Sequence, residues 1–290
     1  PLAHLCFVPD RPFLVGAAAF GLLAGIAIET GRPGDPLEAD VVWQDRLMSN
    51  VGRLAVSGDG GMILASCYTH GIQRFDLRGR NDGSYHLGGT VAHAVPDFPG
   101  RTIAAATLEG ELAIMNAAGN VRWRTRLPRP LLTLEFDPLG RYLIYGQATG
   151  EIVRLNLFGP GPEADQSPAQ ERSPVRLRTA SPRSSSGPVR AAEWSVPVVE
   201  TEEQAETVVL TVHDTPPCLA IFSSPHRLRL FSLDGRLIAN GPDMSGVGRI
   251  LRTSPGWLAA STDRQIVLCD LRGRTQRKVA RANDQINSGL

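Results

Sequence analysis

Lysine is almost missing from this chain. Of its 290 residues only Lys278 is a lysine, and arginine supplies the rest of the 30 basic side chains. Acidic residues number 29, so the net charge is +1. A balance this close to neutrality excludes a global field that would gather nucleic acid or an anionic membrane. Arginine in place of lysine, together with much Ala, Gly and Pro, fits a GC-rich bacterial genome. Cysteine is scarce as well. Cys6, Cys67, Cys218 and Cys269 stand far apart, which excludes a CxxC zinc or redox motif. They read as small core residues, and nothing in them demands an oxidising compartment. The histidines His4, His70, His86, His93, His213 and His226 include no HxxxH pair, so there is no HExxH motif. A GxSxG elbow, a P-loop and a GxGxxG turn are also absent. The chain begins at Pro1 without an initiator methionine, as expected of a processed protein or a segment of a longer one.

What is present is a repeat. Phe13–Ile28, FLVGAAAFGLLAGIAI, carries no charge and invites a membrane or signal reading. Laid over YLIYGQATGEIVRLNL without a gap, Pro1–Ile28 matches Pro130–Leu157: Leu5 meets Leu134, Phe7 meets Phe136, Leu14 meets Leu143 and Gly21 meets Gly150. The matched segment contains Glu151 and Arg154, and a spanning helix needs about 20 apolar residues. The run therefore reads as two buried strands, Phe13–Ala18 and Leu22–Ile28, turning at Gly21. A secretion signal or anchor is the alternative, because the run is short and near the N-terminus.

The unit recurs in HGIQRFDLRGR, EGELAIMNAAGN, TGEIVRLNLFGP, HRLRLFSLDGR and DRQIVLCDLRGR. Each is an alternating strand that closes on a glycine turn, at Gly79, Gly119, Gly159, Gly235 and Gly273. Flanking apolar runs bring each unit to as many as four strands in about 40 residues. Six units follow, near Leu2–Leu47, Asn50–Leu87, Gly89–Leu127, Arg129–Val199, Thr207–Met244 and Gly246–Ala280. The tail ANDQINSGL begins a seventh unit or simply trails off. A four-stranded sheet cannot bury both faces alone, so neighbouring sheets must cover them. The expectation is an all-β chain, a β-propeller of four-stranded antiparallel blades forming one domain over residues 1–290.

LEFDPLGRYLIYGQATGEIVRLNL, Leu134–Leu157, resembles a WD40 repeat. At the WD position stand Phe75-Asp76, Met115-Asn116, Leu155-Asn156, Phe231-Ser232 and Cys269-Asp270, never a tryptophan. GELAIMNAAGNVRWRTRL, Gly110–Leu127, is also similar to the PQQ-like repeat, with Gly119 at the turn and Trp123 on the last strand. Trp43 and Trp194 fall in the equivalent strand of their units. The WD40 resemblance implies scaffolding or sensing. The PQQ-like one implies a quinone and a calcium ion, for which the chain offers neither adjacent cysteines nor a clustered acidic ligand set.

One compositional break interrupts the repeat. Residues 159–188, GPGPEADQSPAQERSPVRLRTASPRSSSGP, are rich in Pro and Ser, too apolar-poor to offset ordering entropy, and read as a disordered loop. Arg172, Arg176, Arg178 and Arg183, with Ser-Pro steps at Ser167, Ser173 and Ser181, read as a solvated tether or as a basic or phosphorylated arm. Glu200, Glu202, Glu203 and Glu206 follow in a polar turn. Asp10, Asp59, Asp137, Asp214 and Asp234 recur at turns, where carboxylates hydrogen-bond the backbone; Asp76 and Asp270 occupy equivalent positions and read as structural. No catalytic, cofactor-binding or metal-binding residue is assigned and no cofactor is expected. The functional expectation is a non-catalytic scaffold or docking module with a protein partner, no nucleic acid and no membrane span within this segment; the compartment is left open, with the cytoplasm favoured. The alternative is a metal- or quinone-dependent hydrolase or oxidoreductase working at a central channel.

Overall fold

A computed structural model describes residues 3–8, 11–29, 38–147, 151–157, 195–197, 208–214, 217–223, 227–243, 249–252, 257–261, 265–270 and 275–280. Among them lie six four-stranded antiparallel sheets. The first holds β1 (His4–Phe7), β2 (Phe13–Ala17), β3 (Leu22–Glu29) and β4 (Glu38–Arg46). The second holds β5 (Val51–Val56), β6 (Ile63–Cys67), β7 (Gly71–Phe75) and β8 (Asn81–Tyr85). The third holds β9 (Val91–Pro96), β10 (Thr102–Thr107), β11 (Glu111–Asn116) and β12 (Val121–Arg126). β13 (Leu131–Phe136), β14 (Tyr142–Gln147), β15 (Glu151–Asn156) and β16 (Ser195–Pro197) make the fourth. The fifth is β17 (Val208–Asp214), β18 (Pro217–Ser223), β19 (Arg227–Ser232) and β20 (Leu237–Asp243). The sixth is β21 (Arg249–Arg252), β22 (Trp257–Ser261), β23 (Gln265–Asp270) and β24 (Thr275–Ala280). In every sheet the strands pair in chain order, so each sheet falls within one of the six repeat units.

The chain divides into two compact units, one of Pro1–Leu143, Leu155–Gln166 and Ala180–Ala192, the other of Ile144–Arg154, Ser167–Thr179 and Glu193–Leu290. In the first, β1 lies beside β5, β5 beside β9 and β9 beside β13. First strands thus follow one another from sheet to sheet. In the second, β17 lies beside β21.

The uncharged segment folds as β2 and β3. Leu23 pairs with Ala17 and Ile26 with Leu14 across a turn at Gly21, whose φ is 90°. Val15, Ala17 and Leu23 are fully buried and pack with Leu54, Ile63 and Phe75 of the second sheet. An apolar run without alternation is what a strand covered on both faces requires. Among the described residues no helix is long and apolar enough to cross a membrane. The next interface repeats the scheme, with Leu64, Ile72 and Tyr85 against Ala94, Ile103 and Ala105.

Aromatic side chains on fourth strands fasten the first sheet to the second and the second to the third. Trp43 lies against Gly79, where an added Cβ would stand 2.5 Å from Trp43 Cδ2. Trp43 Nε1 donates to Leu77 O at 2.8 Å. Tyr85 repeats the arrangement one sheet on: Gly119 leaves room for its ring, and its hydroxyl donates to Ala117 O at 2.8 Å. Both glycines also have positive φ, 75° and 84°, a region closed to most side chains. The carbonyl two residues before the closing glycine attracts arginine as well. Arg74 Nη1 donates to Ala117 O at 3.2 Å, and in the second unit Arg154 Nη1 donates to Leu233 O. Trp123 is the counterpart of Trp43 and is buried; its Nε1 has no partner among the described residues. Trp194 and Gly159 lie outside the described residues, as does the 159–188 insertion.

Fourth strands share a second feature. Register shifts skip one residue at the same place in β4, β8, β12, β20 and β24, leaving Val42, Asp82, Arg122, Ile238 and Gln276 outside the pairing. A bulge of this kind twists the strand and disrupts the ladder that another chain would need for edge-to-edge pairing.

Candidate functional site

Two places in the first unit gather chemistry. One is the row of side chains that first strands present at a common repeat position: His4 on β1, Arg53 on β5, His93 on β9 and Thr133 on β13. His4 Nε2 lies 3.2 Å from Val51 O, and His93 Nε2 lies 3.2 Å from Leu131 O. The same bond is thus made twice, each imidazole reaching the beginning of the next sheet's first strand. A carbonyl only accepts, so Nε2 carries the proton in both. Cys6 adds a thiol donor to Leu54 O at 3.2 Å. Arg53 reaches past β9 to β13, where Nη2 meets Glu135 Oε1 at 3.2 Å. His93 sits between these elements, and its Nδ1 has no partner among the described residues. Burial first, and the Arg53 charge second, push its pKa down to about 4. His93 is therefore a neutral, enclosed imidazole at ordinary pH. Its geometry ties β9 to β13 and offers no exposed base.

The other place is the end of the sheets where second strands turn into third strands. Leu47 N donates to Gly21 O at 2.8 Å and Val51 N to Ala19 O at 3.1 Å, which brackets Met48 against the turn that bears Phe20. Tyr68 N donates to Asn50 O, and Thr69 N donates to Ser49 Oγ, both at 3.1 Å. Phe20, Met48 and Tyr68 are consequently carried by segments tied to one another. Their exposures are 82%, 83% and 41%. The Tyr68 ring lies over Gly52, where a Cβ would meet Cε1 at 2.6 Å and Ala92 O at 3.0 Å. Residues 18–22, 47–51 and 68–69, which build this end, include no charged side chain. Leu108, 50% exposed, stands in the corresponding turn of the third sheet, its N–H donating to Thr90 O at 2.9 Å.

Turn carboxylates serve the backbone. Asp97 Oδ1 accepts from Arg101 N and Thr102 N, and Asp137 Oδ1 accepts from Tyr142 N at 2.6 Å. Ser57 stands at the same repeat position, and its hydroxyl donates to Asp59 Oδ1 at 2.6 Å. In the turn from third to fourth strand, Asp76, Asn116 and Ser232 hold equivalent posts. Each accepts from the backbone N–H four residues on, Arg80, Asn120 and Arg236. Asp76 also meets Arg80 Nη2 at 2.7 Å. Asp234 receives the Ser232 hydroxyl, and this bond, as the leading cause, lowers its pKa. Among the described residues no group of three His, Cys, Asp or Glu side chains lies close enough to hold a metal. His70 is exposed on the second–third turn, with Nδ1 2.8 Å from Thr69 Oγ1. His226, Asp10, the loop arginines and serines, and Glu200, Glu202, Glu203 and Glu206 lie outside the described residues. Cys67 and Cys218 are buried thiols whose pKa burial pushes up to about 11.

The histidine row, the arginine reach of Arg74 and Arg154, and the exposed end formed by Phe20 and Met48 all escaped sequence reasoning. The equivalence of His4 and His93 could have been found by extending the alignment of first strands across every unit.

Four-stranded antiparallel sheets with first strands side by side, joined through a fourth strand from the first to the second and from the second to the third, are built as the blades of a β-propeller are. No family model matches the chain, and no curated protein matches it. Among solved structures it is similar to the β-propeller domain of Cps50 (Swd1) from Myceliophteria thermophila, with a TM-score of 0.67. That likeness covers 98% of this chain and 88% of the other at 15% sequence identity. At such identity it speaks for the fold alone.

Proposed function

We propose that this protein is a non-catalytic β-propeller that works as a protein-interaction scaffold or docking module of a bacterial protein. The reading takes residues 1–290 as one propeller domain of six blades with an insertion at 159–188. One observation carries it: the uncharged end surface of Phe20, Met48 and Tyr68. Single exposed apolar residues are ordinary, whereas contiguous ones mark contact sites. Methionine adapts its shape to a partner, and tyrosine supplies area with little loss of side-chain freedom. The surrounding Ser49, Asn50 and Thr69 form a polar rim without charge.

The test is an affinity capture from host lysate with the intact chain and with a Phe20→Ser, Met48→Ser, Tyr68→Ser variant, both checked for folding by circular dichroism. On this reading at least one protein retained by the intact chain is lost from the folded variant. An identical set of captured proteins would remove the end surface from the function.

A further inference from the structure

The fourth strand of the third sheet reads VRWRTR. Trp123 turns inward at 5% exposure, while Arg122, Arg124 and Arg126 are exposed. Arg124 keeps 70% of its side chain in solvent, 3.8 Å from Glu111. Arg122 and Arg126 make no ion pair among the described residues. The fold does not require this. At the positions of Arg122, Arg124 and Arg126, the first sheet has Val42, Gln44 and Arg46, and the second has Asp82 and Ser84 at the first two, Asp82 pairing with Arg74 at 3.0 Å. Charges of either sign would protect an edge strand equally well, so a row of one sign on β12 asks for a further reason.

We propose that the β12 edge is a docking surface for an extended acidic peptide segment, whose carboxylates pair with Arg122, Arg124 and Arg126. Arg124 and Arg126 stand two residues apart on one strand, about 6.8 Å. An extended partner with acidic residues at alternate positions has the same repeat. A guanidinium presents a planar fork that matches a carboxylate through two parallel hydrogen bonds. The bulge at Arg122 interrupts the backbone ladder, so the partner is held by side chains and not as an added strand. Exposed pairs are individually weak and screened by salt, and binding is accordingly cumulative over the row. A single-stranded nucleic acid fits less well, because it uses exposed aromatic faces for stacking and the one aromatic residue of β12 is buried. This surface is distinct from the end formed by Phe20, Met48 and Tyr68, and its test fails or succeeds without touching that reading.

The experiment is fluorescence anisotropy with a labelled peptide of alternating Glu and Thr, titrated with the intact chain at low salt. The comparison is an Arg122→Gln, Arg124→Gln, Arg126→Gln variant whose circular dichroism and melting temperature match the parent. Should the triple variant fold poorly, Arg124→Gln alone serves. The expected result is binding that weakens at least tenfold in the triple variant, or about threefold in the single one, and that fades as salt is raised. A peptide with Gln in place of Glu should not bind. Equal binding by parent and variant overturns the proposal, as does no binding by the parent. Tighter arginine-dependent binding of a single-stranded oligonucleotide than of the peptide also overturns it.

Discussion

First strands and fourth strands of the same sheets have opposite characters. First strands β1, β5, β9 and β13 follow one another side by side, and polar groups on them bond other sheets: His4 to Val51 and His93 to Leu131 of the next sheet, Arg53 to Glu135 of the sheet beyond it. Fourth strands β4, β8 and β12 each turn one aromatic residue inward, Trp43, Tyr85 and Trp123, and leave most of the rest outside, with a bulge that interrupts the ladder. The constraint on a first strand is therefore a neighbour in another repeat. The constraint on a fourth strand is limited to one ring and one turn. Positions under no such constraint can change charge between sheets, as β4 and β12 do, and that is where partner recognition can be written without disturbing the fold.

The difference can be broken most forcefully from the side of the first strands. Leu54 of β5 is buried among Val15, Leu23 and Ile63. Leu54→Ala removes its methyl groups from a packed interface and leaves a cavity, so a loss of about 3 kcal/mol in urea unfolding is expected. A loss below about 1 kcal/mol would mean that the sheets are not pressed together there. Gly79→Ala tests the single point where a fourth strand is constrained. The new methyl meets the Trp43 ring at 2.5 Å, at a φ of 75°. Strain of about 1–3 kcal/mol is expected, together with altered Trp43 fluorescence. Wild-type stability in this variant would show that Trp43 does not seat on the glycine.

His93 sharpens the comparison through pH. Its pKa is lowered from 6.5 to about 4 in the folded protein by burial first and Arg53 second. The unfolded chain therefore takes up the proton before the folded one does. The stability tied to a neutral His93 is complete above about pH 6.5 and is lost as pH falls toward 4. At pH 5 the loss is on the order of 2 kcal/mol relative to pH 7. His93→Gln, whose amide can still donate to Leu131 O, should unfold in urea with a smaller shift between these two pH values. An unchanged shift would place the acid sensitivity elsewhere.

Much of the fold was legible in the residues because a repeat exposes its own grammar. The gapless match of Pro1–Ile28 to Pro130–Leu157 identified β2 and β3 in spite of their uncharged run, and the closing glycines located the third–fourth turns, with positive φ found at Gly79, Gly119 and Gly235. The bonds between sheets were hidden for a physical reason. Arg74, Arg154, Trp43 and His93 all donate to backbone carbonyls in another repeat, and a carbonyl has no residue-type signature. The exposed end was hidden too, since Phe20 and Met48 look like core residues in any pattern of hydropathy. Only the chain reversal at Gly21, fixed by Leu47 N, turns Phe20 outward.

The smallest effect is expected at the bulge itself. Val42 is skipped by the pairing of β4 with β3, between Val41 opposite Ile26 and Trp43 opposite Gly25, and its exposure is 55%. Val42→Glu places a charge in solvent and breaks no ladder bond, so stability should stay within about 0.5 kcal/mol. The neighbouring Trp43→Ala would instead remove a ring seated on Gly79 and a donor to Leu77 O. Urea midpoints for the two variants therefore measure, one residue apart, how sharply the constrained part of a fourth strand ends. If Val42→Glu destabilises the protein as much as Trp43→Ala, the outer edge is part of the packed structure, and its charges are no longer free to serve a partner.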